Sequence, residues 1–257
     1  MPTTHATLHE RLRRGELRHA AWLALRDPLA AEAIARSGVD LIVFDQQHGA
    51  IETGDLIGLL QAVQPFVPAL VRLPSVAPTA VTRVLDLGAD GVVVPLVDSV
   101  DDAREAVAAA LYPPAGARSY GPLRAAVRHG PGYRERVAEH ALVIAMIETA
   151  NALGSVEAIA AVPGLGGLFV GPADLGLALG VGPQTDGDDP TYLAARRRVV
   201  AAAHAHGLSV GLHGVAAAAQ RAALADGVDW VVVASDLPLL VAGTRAQLAA
   251  MRDPEAQ

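Results

Sequence analysis

The amino-acid sequence predicts an α/β protein, a single (β/α)8 TIM barrel that covers residues 1–257. Three observations lead to this prediction. A chain of 257 residues has the usual size of such a barrel and is long enough to bury a large core. Eight short apolar runs are nearly continuous, as is typical of parallel strands buried on both faces. Helical segments separate these runs, and this alternation favours a closed barrel over a doubly wound open sheet, the remaining alternative.

The strands are predicted where valine, leucine and isoleucine cluster in runs of four to six residues. No G-x-G-x-x-G motif follows the first of them, which argues against a dinucleotide-binding domain. In chain order the predicted strands are Ala21–Leu25, Leu41–Asp45, Ala69–Leu73, Gly91–Leu96, Leu142–Ile147, Gly167–Val170, Ser209–Leu212 and Trp230–Ala234.

The helices are predicted between these runs, from apolar residues at helical spacing and from capping residues such as Ser99. The Gly-, Pro- and Arg-rich segment 112–133 is predicted to be a long loop at the rim of an active site. In chain order the predicted helices are Ala30–Ser37, Gly54–Gln64, Ala77–Leu87, Ser99–Ala110, Ser155–Ala161, Tyr192–His206, Ala216–Ala225 and Pro238–Arg252.

The composition excludes several kinds of chemistry. All 20 basic residues are arginine, so a Schiff-base lysine, a pyridoxal-phosphate enzyme and a P-loop lysine are excluded. The absence of cysteine excludes a thiolate nucleophile, a cysteine zinc site, an iron–sulfur cluster and disulfides. A net charge of −7 without a basic stripe argues against nucleic-acid binding. No signal peptide or membrane span is predicted, which favours a cytoplasmic protein.

Polar side chains follow several predicted strands at the point where each strand ends. In a barrel, catalytic groups are built at the carboxyl ends of the strands, so we expect these side chains to surround one site. They are Asp45 and His48 after strand two, Arg72 and Ser75 at strand three, Glu148 after strand five, Asp174 after strand six, and His213 after strand seven. His213 either lines the mouth of the barrel or fills space, and the second interpretation is favoured.

Glu148 and Asp174 end neighbouring strand units, and two such carboxylates must share a proton, meet a cation or pair with a basic side chain. With no cysteine and no histidine cluster, hard oxygen ligands favour Mg²⁺ or Mn²⁺. Two protein ligands leave further coordination positions for water and substrate. The alternative is that either acid caps a helix or forms a salt bridge.

Three further groups have both a functional and a structural interpretation. Asp45 can orient the His48 imidazole for proton transfer, or His48 can simply belong to a tight loop. Arg72 lies inside an apolar strand and needs a partner, either an acid or an anionic ligand. The backbone of Gly171-Pro172-Ala173 can receive an anion, or it can be a plain turn.

Together these motifs resemble the HpcH/HpaI family of metal-dependent pyruvate aldolases, which includes 4-hydroxy-2-oxoheptanedioate and 2-dehydro-3-deoxyglucarate aldolases. The matching stretches occur in the expected order between about residues 21 and 240. They are FDQQHGAIE, VRLPS, LDLGADGVVVPLVDSVDDAREAV, YPPAGARSYGPLRA, MIETANALGSVEAIAAVPGLGGLFVGPADLGLALG and SDLPLL.

The resemblance implies reversible aldol cleavage of 2-oxo-4-hydroxy acids to pyruvate and an aldehyde through a metal-stabilised enolate. It implies Mg²⁺ or Mn²⁺ as the metal, with Co²⁺ as a further option, and a homohexamer whose C-terminal helix is exchanged between subunits. The roles that it implies are metal ligation by Glu148 and Asp174, an acid/base pair of His48 and Asp45, enolate contact by Arg72, carboxylate binding by Gly171, Pro172 and Ala173, and contact with a neighbouring subunit's site by Asp86.

The sequence departs from the family pattern at two places. Many family aldolases have glutamine two residues before the metal glutamate, where this chain has Met146. Many have Gly-Glu before the dyad histidine, where this chain has Gln46 and Gln47. Both changes bear on the choice of acceptor aldehyde. Two other functions stay open at this point: a CoA-ester lyase of the malyl or citryl type, and a non-catalytic barrel that binds a small acid.

Overall fold

The computed structural model describes residues 6–252, so residues 1–5 and 253–257 of the predicted domain lie outside the described residues. Eight parallel strands form a closed barrel in sequential order, which confirms the predicted fold class. The strands are β1 (His19–Leu23), β2 (Leu41–Asp45), β3 (Ala69–Arg72), β4 (Gly91–Val94), β5 (Leu142–Ile147), β6 (Gly167–Val170), β7 (Ser209–His213) and β8 (Trp230–Ser235).

Helices follow the strands and surround the barrel. Because every strand is covered by helices outside and by side chains inside, the strands carry few polar residues before their carboxyl ends. The helices are α1 (Leu8–Arg13), α2 (Pro28–Ala35), α3 (Leu56–Val63), α4 (Pro78–Asp86), α5 (Val100–Ala110), α6 (Leu123–His129), α7 (Val137–His140), α8 (Ala150–Gly154), α9 (Val156–Ala160), α10 (Pro172–Ala178), α11 (Pro190–Ala205), α12 (Ala217–Ala225) and α13 (Asp236–Arg252).

The barrel interior is packed with large side chains, among which Trp230 and Phe169 are almost completely buried. Gly211 makes this packing possible, because a Cβ atom at that position would collide with the Trp230 ring. At the amino end of the barrel, Leu12 of α1 joins the interior cluster. The amino end is therefore plugged with apolar side chains, and the carboxyl end is left for polar groups.

Several predicted boundaries shift for identifiable reasons. β1 ends two residues earlier than predicted, because the N–H groups of Ala24 and Leu25 donate to the Asp236 carboxylate, at 3.0 and 2.9 Å. β4 ends at Val94, before a turn. The predicted helix Ser155–Ala161 agrees with α9 to within one residue at each end, and the short helix α8 before it is not among the predicted helices.

The prediction for segment 112–133 is right for residues 112–122, which form a loop, and wrong for the rest and for its place at the pocket rim of one chain. The segment contains helix α6, which packs against α4, and Arg124 and Arg128 donate to the backbone carbonyls of Leu87 and Gly88 at 3.2 and 3.1 Å. The segment follows a helix rather than a strand, and a connection from a helix to the next strand lies at the amino-terminal face of the barrel. The active-site rim is at the opposite face.

Helix α13 closes the described chain and leaves much of its apolar surface exposed. Leu239, Leu240, Leu248 and Met251 are all more than two-fifths exposed and line an apolar groove of about 750 Å³ beside α2. Exchange of this helix between subunits stays a prediction. Between residues 6 and 252, the structure contains no helix whose length and hydropathy would suit a transmembrane segment.

Candidate active site

The strand register brings the predicted polar residues together at the carboxyl end of the barrel. Asp45 at the end of β2 pairs directly with Arg72 at the end of β3, and Ile147 pairs with Val170, so the residues that follow β5 and β6 are also neighbours. A pocket of about 280 Å³ opens there. Its walls are Trp22, Asp45, His48, Arg72, Met146, Glu148, Phe169, Gly171, Pro172, Ala173, Asp174, Thr185 and His213.

One side of the pocket is built around a buried ion pair. Nε and Nη2 of Arg72 donate to the two carboxylate oxygens of Asp45, at 2.9 and 2.6 Å. The indole Nε1 of Trp22 donates to the same carboxylate at 3.1 Å, and the Arg72 guanidinium lies 4.9 Å from the Trp22 ring centroid. The partner that the sequence required for Arg72 is therefore an acid of the protein itself.

The electrostatics of Asp45 follow from these contacts. Burial raises the pKa of Asp45, but the hydrogen bonds and charge of Arg72, together with the Trp22 indole and the His48 amide, outweigh burial and hold the pKa below its usual value. The carboxylate is thus ionised, and groups of the protein donate hydrogen bonds to both of its oxygens. These bonds offset the free-energy cost of burying the charge.

The predicted Asp45–His48 pair is close in space but is joined through the main chain. Oδ1 of Asp45 accepts from the backbone N–H groups of Gln47 and His48, at 2.9 and 3.2 Å. Among the described residues, the His48 ring has no hydrogen bond to Asp45. Asp45 therefore fixes the loop that carries His48, and the exposed imidazole lies at the pocket wall.

The other side of the pocket is built around Glu148, which is 2% exposed. Its Oε1 accepts from the backbone N–H of Leu96 at 2.7 Å. Its Oε2 is buried and has no hydrogen-bond partner among the described residues. Burial raises the pKa of Glu148, and the nearby charge of Asp174 raises it further, against the opposing effect of the Leu96 N–H.

Gly171 and Asp174 complete this side. A Cβ atom at Gly171 would collide with Oε2 of Glu148, so only glycine leaves room for that oxygen. Asp174 lies in the first turn of α10 and is exposed toward the pocket. No group of three or more His, Asp or Glu side chains in residues 6–252 converges on one point, so the protein would supply two carboxylate ligands. A buried oxygen without a partner beside a second carboxylate fits a hard divalent cation.

Sequence reasoning missed several residues of the pocket wall. His213, for which the sequence favours the space-filling interpretation over a place at the mouth, lies in the wall and contacts Trp22 edge-on at a ring separation of 5.6 Å. Trp22 and Phe169 are also wall residues. The only signal for them in the sequence is strand alternation, because inward-facing positions recur every second residue. Thr185 comes from a loop, and no local pattern marks it.

Asp86 does not reach this pocket within one chain. It ends α4 on the outside of the barrel, where it accepts a 2.7 Å hydrogen bond from the buried guanidinium of Arg118. It also lines a separate surface depression with Thr82 and Glu105. Contact between Asp86 and the site of a neighbouring subunit stays a prediction.

Comparison with known proteins agrees with this arrangement. The family profile described as HpcH/HpaI aldolase/citrate lyase matches residues 18–242, which is most of the chain. The chain belongs to the HpcH/HpaI aldolase/citrate lyase family. The predicted family is thereby confirmed, and with it the prediction of an aldolase-type enzyme.

Individual relatives cover nearly the whole barrel. A hydroxypyruvate/pyruvate aldolase of Rhizorhabdus wittichii is 38% identical, over 91% of this chain and 93% of its own length. A 4-hydroxy-2-oxovalerate aldolase of Rhodococcus jostii is 36% identical, over 91% and 92%. The crystal structure of an HpcH/HpaI aldolase/citrate lyase family protein from Burkholderia cenocepacia superposes with a TM-score of 0.87 at 32% identity, over 96% and 99% of the two chains.

Proposed function

We propose that the protein is a divalent-metal-dependent aldolase that reversibly adds pyruvate, or a close 2-oxo acid, to an aldehyde. The single observation that carries the proposal is the state of Glu148: a buried carboxylate with one oxygen unpaired, facing Asp174 across a pocket that also contains Arg72. Relatives named as pyruvate, hydroxypyruvate and 4-hydroxy-2-oxovalerate aldolases support pyruvate-type donors.

Glu148 and Asp174 would hold the metal, through oxygen atoms only, which suits Mg²⁺ or Mn²⁺ and also accepts Co²⁺. A divalent metal bound there supplies Lewis acidity, which lowers the cost of forming an enolate from a 2-oxo acid. The raised pKa of Glu148 fits this role, because a nearby cation would restore the ionised form that burial and Asp174 disfavour.

Arg72 supplies fixed positive charge in the same pocket. Asp45 and Trp22 hold its guanidinium in one orientation, so little reorganisation is needed when negative charge develops on the substrate. Its hydrogen bonds within residues 6–252 use Nε and Nη2, so Nη1 is available to a substrate oxygen. We assign Arg72 to the keto oxygen of the donor and to the enolate that forms from it.

His48 moves the proton at the other reacting centre. Its side chain is exposed at the pocket wall, and its ring is uncommitted within the described chain, so it can approach the C4 hydroxyl of a cleaved substrate or the aldehyde oxygen in the reverse direction. The carboxylate of the donor is assigned to the turn Gly171-Pro172-Ala173. Pro172 has no N–H group, so Ala173 supplies the next N–H of this turn, and the cap residue Gly171 has no side chain that could bond to it.

A CoA-ester lyase is less well supported. The arginines that would meet the phosphates of CoA belong to segment 112–133, which lies at the other face of the barrel. Arg118 is buried against Asp86, and Arg124 and Arg128 donate to backbone carbonyls there. No residue of that segment lines the active-site pocket in the described structure.

The test is proton NMR of pyruvate in D2O with the purified protein and Mg²⁺, with EDTA as the matched control. Mg²⁺-dependent loss of the methyl signal is expected, because enolisation exchanges the C3 protons with solvent. A panel of aldehydes then identifies the acceptor. Binding of Mg²⁺ without exchange of the methyl protons would reject the proposed function.

We also propose that the protein acts as a homohexamer in which α13 packs on a neighbouring subunit. The support is the apolar groove between α13 and α2, whose lining is left uncovered in a single chain. Light scattering after size exclusion measures the assembly. A monomer at micromolar concentration would reject it.

A further inference from the structure

The turn after β4 has a backbone conformation that its side chain does not require. Leu96 has φ +52°, the left-handed region, and is the one non-glycine residue with positive φ in the described chain. Its side chain is 49% exposed, so packing does not account for the conformation. L residues adopt this region at an energetic cost, which the surroundings must offset. In this conformation the Leu96 N–H donates a hydrogen bond of 2.7 Å to Oε1 of Glu148.

A second link joins the same turn to the end of β5. The carboxylate of Asp98 accepts from the hydroxyl of Thr149, the residue directly after Glu148, and from the side-chain amide of Asn151 at 2.8 Å. The Thr149 oxygen in turn accepts from the Ala152 N–H at 3.0 Å and begins α8. We name these four residues, Leu96, Asp98, Thr149 and Asn151, the β4–β5 clamp.

The clamp acts on a carboxylate that is confined on both sides. The Leu96 N–H donates to Oε1 of Glu148, and Oε2 lies so close to Gly171 that a Cβ atom there would collide with it. With Oε1 committed to an amide, Glu148 presents a single oxygen to the pocket. The two links tie Glu148 and the residues directly after it to the turn after β4.

We propose that Leu96 and Asp98 are positioning residues that set the affinity of the site for a divalent cation, by holding Glu148 as a ligand through Oε2 alone. This inference rests on the proposed function, since it takes Glu148 to be a metal ligand. Neither residue belongs to the lining of the pocket, so both are assigned a role that acts through Glu148. Groups that orient metal ligands typically change affinity by about 10–100-fold when they are removed.

Two matched pairs of variants test the clamp. Leu96→Asn keeps the N–H and tolerates the left-handed region, whereas Leu96→Val is β-branched and resists it. Asp98→Ala removes the second link. Asp101→Ala removes the same charge from the same loop-helix unit, where the side chain is 82% exposed and, among residues 6–252, pairs with Arg104 alone. The probe is Mn²⁺, titrated into each metal-free protein and followed by the electron paramagnetic resonance signal of free Mn²⁺.

We expect Leu96→Val and Asp98→Ala to raise the Mn²⁺ Kd by about tenfold or more, while Leu96→Asn and Asp101→Ala stay within about twofold of wild type. Circular dichroism melts in EDTA confirm that each variant folds, and a Leu96→Val protein that does not fold leaves Asp98→Ala as the deciding variant. Wild-type Kd values for Asp98→Ala and for folded Leu96→Val would overturn the inference.

The same titration separates this inference from the proposed function. If wild type binds Mn²⁺ and the clamp variants lose affinity, but pyruvate exchanges no protons, the positioning role stands and the aldolase proposal falls. If pyruvate exchanges protons and the variants bind Mn²⁺ normally, the aldolase proposal stands and the positioning role falls. A wild-type protein that binds no Mn²⁺ overturns both.

Discussion

The two sides of the pocket treat a buried carboxylate in opposite ways. Asp45 has partners for both oxygens, supplied by Arg72, Trp22 and the loop that carries His48. Glu148 is buried to a similar degree, yet one of its oxygens has no partner in the described structure. The pKa of the first acid is lowered, and the pKa of the second is raised.

The comparison distinguishes two kinds of buried carboxylate. The protein itself supplies hydrogen-bond partners for Asp45, whereas Glu148 needs a bound ligand as a partner. Asp45 forms a complete ion pair with Arg72 and fixes the position of its guanidinium. Glu148 with Asp174 costs stability at neutral pH unless a cation is present, because two carboxylates repel and one is desolvated. Evolution retains such a cost at functional sites.

The largest expected effect is the loss of turnover when the Glu148 carboxylate is replaced by a neutral amide. Glu148→Gln removes a metal ligand worth several kcal/mol, so the rate of Mg²⁺-dependent pyruvate exchange should fall by roughly 1,000-fold. Glu157→Gln, the same change at an exposed glutamate that pairs with Arg198, should leave the rate unchanged. NMR exchange rates measure both. Exchange within tenfold of wild type in Glu148→Gln would reject Glu148 as a ligand.

On the side of the pocket that contains Asp45 and Arg72, the expected effect is a lower free energy of unfolding. Arg72→Leu leaves Asp45 buried without its partner, so the free energy of unfolding should fall by about 3–5 kcal/mol. Arg104→Leu breaks an exposed pair with Asp101 and should cost no more than about 1 kcal/mol. Urea denaturation measures both variants. Equal losses would mean that burial of the Arg72 pair has no energetic consequence.

The dependence of stability on pH should have opposite signs for the two acids. Because the pKa of Asp45 is lowered, its contribution is present above the ordinary value of 3.8 and is lost as pH falls through the folded pKa. Because the pKa of Glu148 is raised, its contribution is present below the ordinary value of 4.5 and is lost as pH rises through the folded pKa.

Urea denaturation in EDTA between about pH 3 and pH 8 tests the two signs. The advantage of Glu148→Gln over wild type should grow as pH rises above 4.5. The advantage of wild type over Asp45→Asn should shrink only below 3.8. Parallel pH profiles for the two variants would contradict the comparison.

The smallest expected effect is that of Trp22→Phe. This change keeps an aromatic ring under the Arg72 guanidinium but removes one hydrogen bond of 3.1 Å to Asp45 and part of a buried ring, so it should lower the free energy of unfolding by about 2 kcal/mol. Turnover should fall a few-fold, since Arg72 keeps both bonds to Asp45. Denaturation and NMR exchange measure the two quantities. A loss as large as that of Arg72→Leu would show that the indole, not the ion pair, fixes this side.

The sequence predicts the barrel and most of the pocket because both depend on local patterns. Buried parallel strands read as apolar runs, and their polar ends must meet at one face, which locates Asp45, Arg72, Glu148 and Asp174. The bounds of β2, β5 and β6 agree with the prediction for the same reason.

The remainder depends on contacts between distant residues. The pairing of Asp45 with Arg72 comes from the register of β2 and β3. Local patterns in these two apolar strands do not determine how the strands align with each other. Nothing in the local sequence marks Leu96 as left-handed, since glycine or asparagine is the usual residue there. The face occupied by segment 112–133 follows from topology rather than from its Gly and Pro content.

The most direct test of the central claim is calorimetric melting of wild type and Glu148→Gln in EDTA and in Mg²⁺. In EDTA, Glu148→Gln should melt at or above the temperature of wild type. At 100 times Kd, Mg²⁺ should stabilise wild type by about 2.7 kcal/mol, a rise of roughly 5–10 °C, and leave Glu148→Gln unchanged. An equal rise in the melting temperature of both proteins would contradict the claim that Glu148 is a ligand of the cation.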